Sequence, residues 1–268
     1  MNVSDVMTAA RRSDRAWYEQ VCESESLDFG VAYMTPRFPR FSDGNQLRDA
    51  WIADARPDEV YDRCESFFGA RGLTCGVWTP ASGQDIGPVS ELLTARGWRR
   101  RDVLAMGLPG RDAHSAPASI TDSTIRVLPA RAMRRAYRSL LEASAMELEA
   151  AGRSEAVEAA VETGIERLDD SNYDATIAQV DGIAAGRIAY LEVGDIARLV
   201  DLDVAAAFRG GEVGDVLVAH FLQTARRLSP RCIVACVEAG DLAGRELLER
   251  HGFVPAGELP RFVRSGVV

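Results

Sequence analysis

Along the second half of the chain the rhythm of apolar and polar positions changes several times, and each change marks an element. From Tyr173 to Val180, Ile183 to Val193 and Ile196 to Val204 the sequence alternates and is rich in aliphatic and β-branched residues, which predicts three successive strands. Asp181-Gly182 and Gly194-Asp195 separate them at hairpin-turn length, so they are expected to run antiparallel. From Val213 to Leu228 the apolar spacing becomes helical; a strand over Cys232 to Glu238, a helix over Leu242 to His251 and a strand near Glu258 to Val263 follow. Ahead of the three strands lie a strand over Thr124 to Pro129 and helices over about Ala130 to Met146 and Ser154 to Leu168.

The first half is less regular. Residues 1 to 26 form a charged helical lead-in anchored by Ala16, Trp17 and Val21, and Leu27 to Met34 is a strand. The prolines and glycine between Thr35 and Asn45 make a loop. A helix (Pro57 to Gly69), a strand (Leu73 to Trp78), a helix (Ile86 to Arg96), a solvated Arg99-Arg100-Arg101 turn and a strand (Asp102 to Gly107) complete it. Residues 108 to 123, with two prolines, a glycine and small polar residues, read as a linker, which divides the chain into domains 1–107 and 124–268.

An internal repeat links the halves. Glu91-Leu92-Leu93 with Gly97-Trp98, and Glu246-Leu247-Leu248 with Gly252-Phe253, are one pattern 155 residues apart, and each copy sits between predicted strands. The stretch ahead of the second copy, Phe208-Arg209-Gly210-Gly211-Glu212-Val213-Gly214, joins a strand to a helix through a glycine-bearing turn. Such a turn brings backbone close to a ligand and aims helix-start amides at an anion. At the same offset the first copy has Asp54-Ala55-Arg56-Pro57-Asp58-Glu59, without a glycine turn, so only the second half is expected to bind a phosphate this way.

Val204, Phe208, Arg209, Gly210 and Gly214 in this order resemble the central motif of the GNAT superfamily of acyl-CoA-dependent N-acetyltransferases, and the two Gly-aromatic helix ends resemble its second signature. The resemblance implies an α+β fold, a mixed and mostly antiparallel sheet flanked by helices, in two similar domains of which the first is partial. It implies acetyl-CoA as co-substrate, held around Val204, Phe208, Arg209, Gly210, Gly211, Glu212, Val213, Gly214, Asp215 and Asp241. A bulge near Val204 would open the strand there. Asp241 stands where the family's helix carries asparagine, Leu248 where many members carry a tyrosine acid, and Glu212 where a motif glycine is expected. Glu212 and Asp215 either repel the pyrophosphate or complement the positive end of their own helix.

Acyl transfer to an amine needs a group that takes a proton. Asp201 and Asp203, two residues apart on one predicted strand face, and Glu192 on the preceding strand are the candidates, with a solvated sheet face as the plain alternative. Tyr173 and Tyr190 are alternative acids or strand packing residues. Composition narrows the rest. All 31 basic side chains are arginine, which removes a lysine P-loop and any lysine Schiff base. The five scattered cysteines have no C-x-x-C spacing, so no metal is expected. A net charge of −9 argues against nucleic acid as partner and suits a cationic amine. The absence of a long apolar run points away from a membrane and to the cytoplasm. Two functions stay open: acetyl transfer to a primary amine of a small molecule or peptide, or a degenerate tandem GNAT that binds or regulates without catalysis.

Overall fold

The computed structural model describes residues 2–52, 56–108, 124–148 and 154–264. In its first half α1 (Val3–Glu19), β1 (Glu23–Leu27), β2 (Gly30–Met34), β3 (Gln46–Ala50), α2 (Pro57–Gly69), β4 (Val77–Pro80), α3 (Gly87–Ala95), β5 (Trp98–Arg100) and β6 (Val103–Gly107) follow one another. The second half runs through β7 (Ile125–Pro129), α4 (Arg134–Leu148), α5 (Ser154–Arg167), β8 (Tyr173–Val180), β9 (Ile183–Val193) and β10 (Ile196–Val204). It ends with α6 (Val213–Leu228), β11 (Cys232–Glu238), α7 (Leu242–Arg250), β12 (Val254–Leu259) and β13 (Phe262–Arg264). Mixed, mostly antiparallel sheets flanked by helices are the result, as the sequence predicts.

The sheets sort into two compact units, and their strand orders show how the halves are related. One sheet runs β1-β2-β3-β4-β13-β5 and the other β12-β6-β11-β10-β9-β8-β7. Each has a run of antiparallel strands, β1-β2-β3 in one and β7-β8-β9-β10 in the other, that leads into one parallel pair, β3 with β4 and β10 with β11. Each then takes its next strand from the opposite half of the chain: β13 enters the first sheet, β6 the second. Accordingly one unit is made of Met1–Trp17, Leu104–Leu148 and Val161–Glu258, the other of Tyr18–Val103, Glu149–Ala160 and Leu259–Val268. This corrects the contiguous domains 1–107 and 124–268, because short strands on either side of the predicted linker are exchanged. From residue 109 to 123 that linker lies outside the described residues.

The repeat is a repeat of packing. In both copies the helix ends, a glycine with positive φ (Gly97 at +84°, Gly252 at +88°) reverses the chain, and an aromatic follows into a core. Leu93 and Trp98 are buried in one core, and Leu248 and Phe253 in the other.

Several predicted elements are redrawn by local contacts. The strand over 27–34 is a hairpin, β1 and β2, turning at Asp28-Phe29. The loop after it is held by Asn45, whose side chain donates to the carbonyls of Phe38 (3.0 Å), Pro39 (3.2 Å) and Phe41 (3.1 Å). Arg99 and Arg100 belong to β5, with exposed side chains, rather than to a free turn. On α1 the buried residues are Val6, Ala9, Ala10, Ser13 and Tyr18, whereas Ala16, Trp17 and, beyond the helix end, Val21 are half-buried. Val6 and Ala9 pack on Ile196, Cys232 and Val234, and Asp14 pairs with the buried Arg198 of β10 at 2.8 Å.

A candidate acyl-transfer cleft

β10 begins paired on both sides and ends paired on one. Its parallel ladder with β11 covers Ile196–Leu199 against Cys232–Ala235 and goes no further. On the other side it stays with β9 as far as Val204 opposite Gly186, but the register slips between Val200 and Asp203. At the slip Asp201 has φ +52°, a left-handed conformation that a short polar side chain tolerates better than an apolar one. A bulge of this kind bends its strand, and here β10 leaves β11 where the bulge begins. The opening is a cleft of about 1010 Å³, lined among others by Asp201, Asp203, Arg209, Gly214, Asp241 and Leu247.

One wall of the cleft is the start of α6. The first helical hydrogen bond there is Val216 N to Glu212 O at 2.9 Å. The amides of Val213, Gly214 and Asp215 therefore have no carbonyl of the helix to bond, and they form the positive end of its dipole. Gly214 permits the close approach of α7, since a Cβ there would stand 3.0 Å from Leu247 Cδ2. Glu212 has right-handed backbone angles (φ −78°, ψ −9°) and an exposed side chain, so the position requires no glycine. Asp215 is met by Arg250 at 3.0 Å and by His251 Nε2 at 3.0 Å. One of the two acids in the turn is thus compensated and the other solvated. Arg209 donates from Nε to the Val204 carbonyl at 2.8 Å and pairs with Glu147 of α4, which ties the glycine turn to the strand end. Free amides, a close-packed glycine and a compensated carboxylate fit a pyrophosphate at this helix start.

The inner end of the cleft holds the carboxylates. Asp201 Oδ2 accepts from Tyr173 Oη at 2.5 Å and from Tyr137 Oη at 3.4 Å, and the two phenols are 2.8 Å apart. Burial, followed by the Asp201 charge, pushes both phenols well above the usual tyrosine range, so both remain donors. Asp203 lies 3.7 Å from Arg187 Nη2 and 3.9 Å from Arg209 Nη2. At those distances the guanidiniums attract it without occupying it as hydrogen-bond donors.

The bulge sorts the predicted site residues. Asp201, Asp203, Val204, Phe208, Arg209, Gly210, Gly211, Glu212, Gly214 and Asp215 all line the cleft, whereas Val213 turns into the core. Glu192 is separated from them: it is exposed opposite Ala197, at the far end of β9 from the bulge. Asp201 and Asp203 do not act as one strand face, because the slipped register breaks the alternation between them. Asp241 lines the cleft, yet its carboxylate caps α7 by accepting from Gly244 N at 2.9 Å. Leu248 is fully buried. Tyr190 packs on Phe221 and Tyr173 is fully buried in the cluster just described. Arg187, Tyr137 and Glu147 escape the sequence reading; the signal for Arg187 is an arginine inside the apolar run Ala184 to Leu191. Among the described residues no group of acidic, histidine or cysteine side chains is arranged to hold a metal, and no helix is long and apolar enough to cross a membrane.

Residues 136–253 match the model of the acetyltransferase (GNAT) family. No curated protein matches the chain. Among solved structures, a functionally unknown conserved protein from Staphylococcus epidermidis is similar over 91% of this chain and 94% of its own, at 14% identity and a TM-score of 0.70. A GCN5-related N-acetyltransferase from Kribbella flavida is similar over 96% and 95%, at 14% identity and a TM-score of 0.62. A tandem GNAT protein from the clavulanic acid biosynthesis pathway is similar over 76% and 68%, at 16% identity and a TM-score of 0.53. At such identities the likeness is one of fold.

Proposed function

We propose that the chain, whose residues 136–253 match the model of the acetyltransferase (GNAT) family, is a member of that family and transfers an acetyl group from acetyl-CoA to a primary amine of a small molecule or peptide. The unit containing β7–β12 carries the reaction. The observation that supports this reading above others is the departure of β10 from β11 at the bulge, beside a helix start with open amides. A splayed strand offers backbone groups to an extended pantetheine arm, and the helix start takes the pyrophosphate.

Acetyl-CoA supplies an activated acyl carbon, and the reaction forms a C–N bond while the C–S bond breaks. The chain's own part is to bind, to orient and to move a proton. Asp203 takes a proton from the ammonium form of the acceptor, since its lone pairs are open, whereas Asp201 is engaged by tyrosine hydroxyls. Arg209, fixed to the Val204 carbonyl, keeps the turn at the strand end in place. With Leu248 in the buried helix position, no hydroxyl there protonates the leaving thiolate, which takes its proton from solvent.

The same leucine favours a second reading, a tandem GNAT that binds acetyl-CoA without turning it over. Calorimetric titration with acetyl-CoA at low salt, followed by release of free thiol across a panel of primary amines, separates the two. Binding of one acetyl-CoA per chain with thiol release is the expected result. Binding without release from any amine supports the second reading, and no binding up to millimolar acetyl-CoA overturns both.

A further inference from the structure

Two like charges two residues apart, half-buried beside a bulge, would normally disfavour one another's ionised form. The groups facing them explain how they coexist. Around Asp201 and Asp203 stand Arg187 from β9, Tyr173 from β8, Tyr137 from α4, and Arg209 with its partner Glu147; Arg167 of α5 acts on Tyr137 from behind. Each phenol has one proton to give. Tyr173 gives its proton to Asp201, and Tyr137 has Tyr173 or Asp201 as its acceptor.

Arg187 is 7% exposed, and its Nε and Nη1 have no hydrogen-bond partner among the described residues. It sits opposite Asp203 in the β9–β10 register, with Nη2 3.7 Å from that carboxylate. A buried guanidinium bonded so sparsely is held by charge, and the charges on hand are Asp201 and Asp203. Burial works against its cation, and Asp201 first, then Tyr137, Asp203 and Tyr173, together outweigh it. The attraction is mutual.

We propose that Arg187 is the positioning residue of this cleft: as the shared counter-ion of Asp201 and Asp203 it lets both carboxylates stand charged, so that Asp203 exchanges protons while Asp201 is locked by the two tyrosines. The inference rests on the reading of Asp203 as the base and assigns the two aspartates different work.

The test is a carbon-13 NMR titration of aspartate carboxyls in the full chain, with Asp201→Asn and Asp203→Asn spectra assigning the two signals. In Arg187→Met the Asp203 midpoint is expected to rise above that of wild type, and Arg187→Lys, which keeps a cation, to restore it toward the wild-type position. Tyr173→Phe is expected to move Asp201 and leave Asp203 in place. An unmoved Asp203 in folded Arg187→Met overturns the proposal. Should that variant fail to fold, Tyr173→Phe decides: movement of Asp201 alone upholds the division of roles, and equal movement of both signals overturns it. No acceptor is needed for these titrations, so the expected shifts in a protein that acylates no amine would count against the proposed reaction and not against the role of Arg187.

Discussion

The two units carry the same strand bend, and the cleft described above opens at the bend of β10. In the unit built on β1–β5, Asp49 has φ +50°, close to the +52° of Asp201, and the register of β3 against β4 slips beside it, between Leu47 and Ala50. There, however, β3 returns to its parallel neighbour, with Ala50 opposite Pro80. The Ala50 carbonyl accepts from Ala81 N (3.0 Å) and from Gln84 Nε2 (2.7 Å), and Ile52 N donates to Gln84 Oε1 at 3.3 Å. The backbone that β10 leaves open is, in β3, spoken for by one glutamine. The following helix differs too: α2 begins with Pro57, which has no N–H, and its first turn carries Asp58 and Glu59, both paired with Arg56. A bulge by itself makes no binding site. Release from the parallel neighbour and open amides at the next helix are needed as well.

The largest expected effect lies on the carboxylate that distinguishes the two units. Asp203→Asn should lower kcat by about 10²- to 10⁴-fold, the usual contribution of a general base, with the calorimetric Kd for acetyl-CoA unchanged. Turnover surviving that change would remove Asp203 from the mechanism.

Next come two matched lesions in the repeat, Leu248→Ala and Leu93→Ala, each in a fully buried position. Each should cost about 2–5 kcal/mol in denaturant unfolding. Only Leu248→Ala should also weaken acetyl-CoA binding, because α7 lines this cleft and α3 does not. Equal loss of affinity in both variants would mean that the site depends on both units alike.

Glu212→Gly is smaller. Removing an exposed negative charge beside the α6 amides should tighten acetyl-CoA by about 0.2–1 kcal/mol, and weaker binding would show that the carboxylate helps to hold the turn.

Acid should affect the units unequally. Burial, its main cause, lowers the pKa of His220 on α6 below the ordinary value of 6.5, so the fold favours the neutral ring. The stability this gives is present above pH 6.5 and is lost as pH falls through the lowered folded value. No histidine occurs in residues 18–103. The melting transition of the cleft-bearing unit should therefore fall on mild acidification, and His220→Gln should flatten that dependence.

Much of this was legible from spacing. β8, β9, β10 and α6 coincide with their predicted limits because two Asp/Gly turns mark the strand ends and the apolar period changes cleanly at Val213. The repeat pointed to the paired helix ends. What spacing does not carry is a strand of three residues: β5 and β13 have too few positions to show a period, so the exchange of β6 and β13 was invisible. β3 was hidden behind a proline-rich loop whose shape depends on one buried asparagine. In the cleft, strict alternation put Asp201, Asp203 and Glu192 together, and the bulge, which the motif implied near Val204 and which falls between Val200 and Asp203, undid it. Arg187 was overlooked because a charged residue in an apolar strand has meaning only once its partners on neighbouring strands are known.

The exchanged strands also bear on how the protein is made. A ribosome delivers the chain from its N-terminus, and β5 emerges long before β13, the strand that lies between it and β4. The earlier-made unit must therefore wait, its sheet split, until residues 262–264 arrive. β6, by contrast, is already synthesised when β11 and β12 appear on either side of it. Both sheets are thus completed by the last two strands made, β12 at the edge of one and β13 inside the other, and until then the split sheet of β1–β5 exposes edges that a nascent chain has to keep from aggregating.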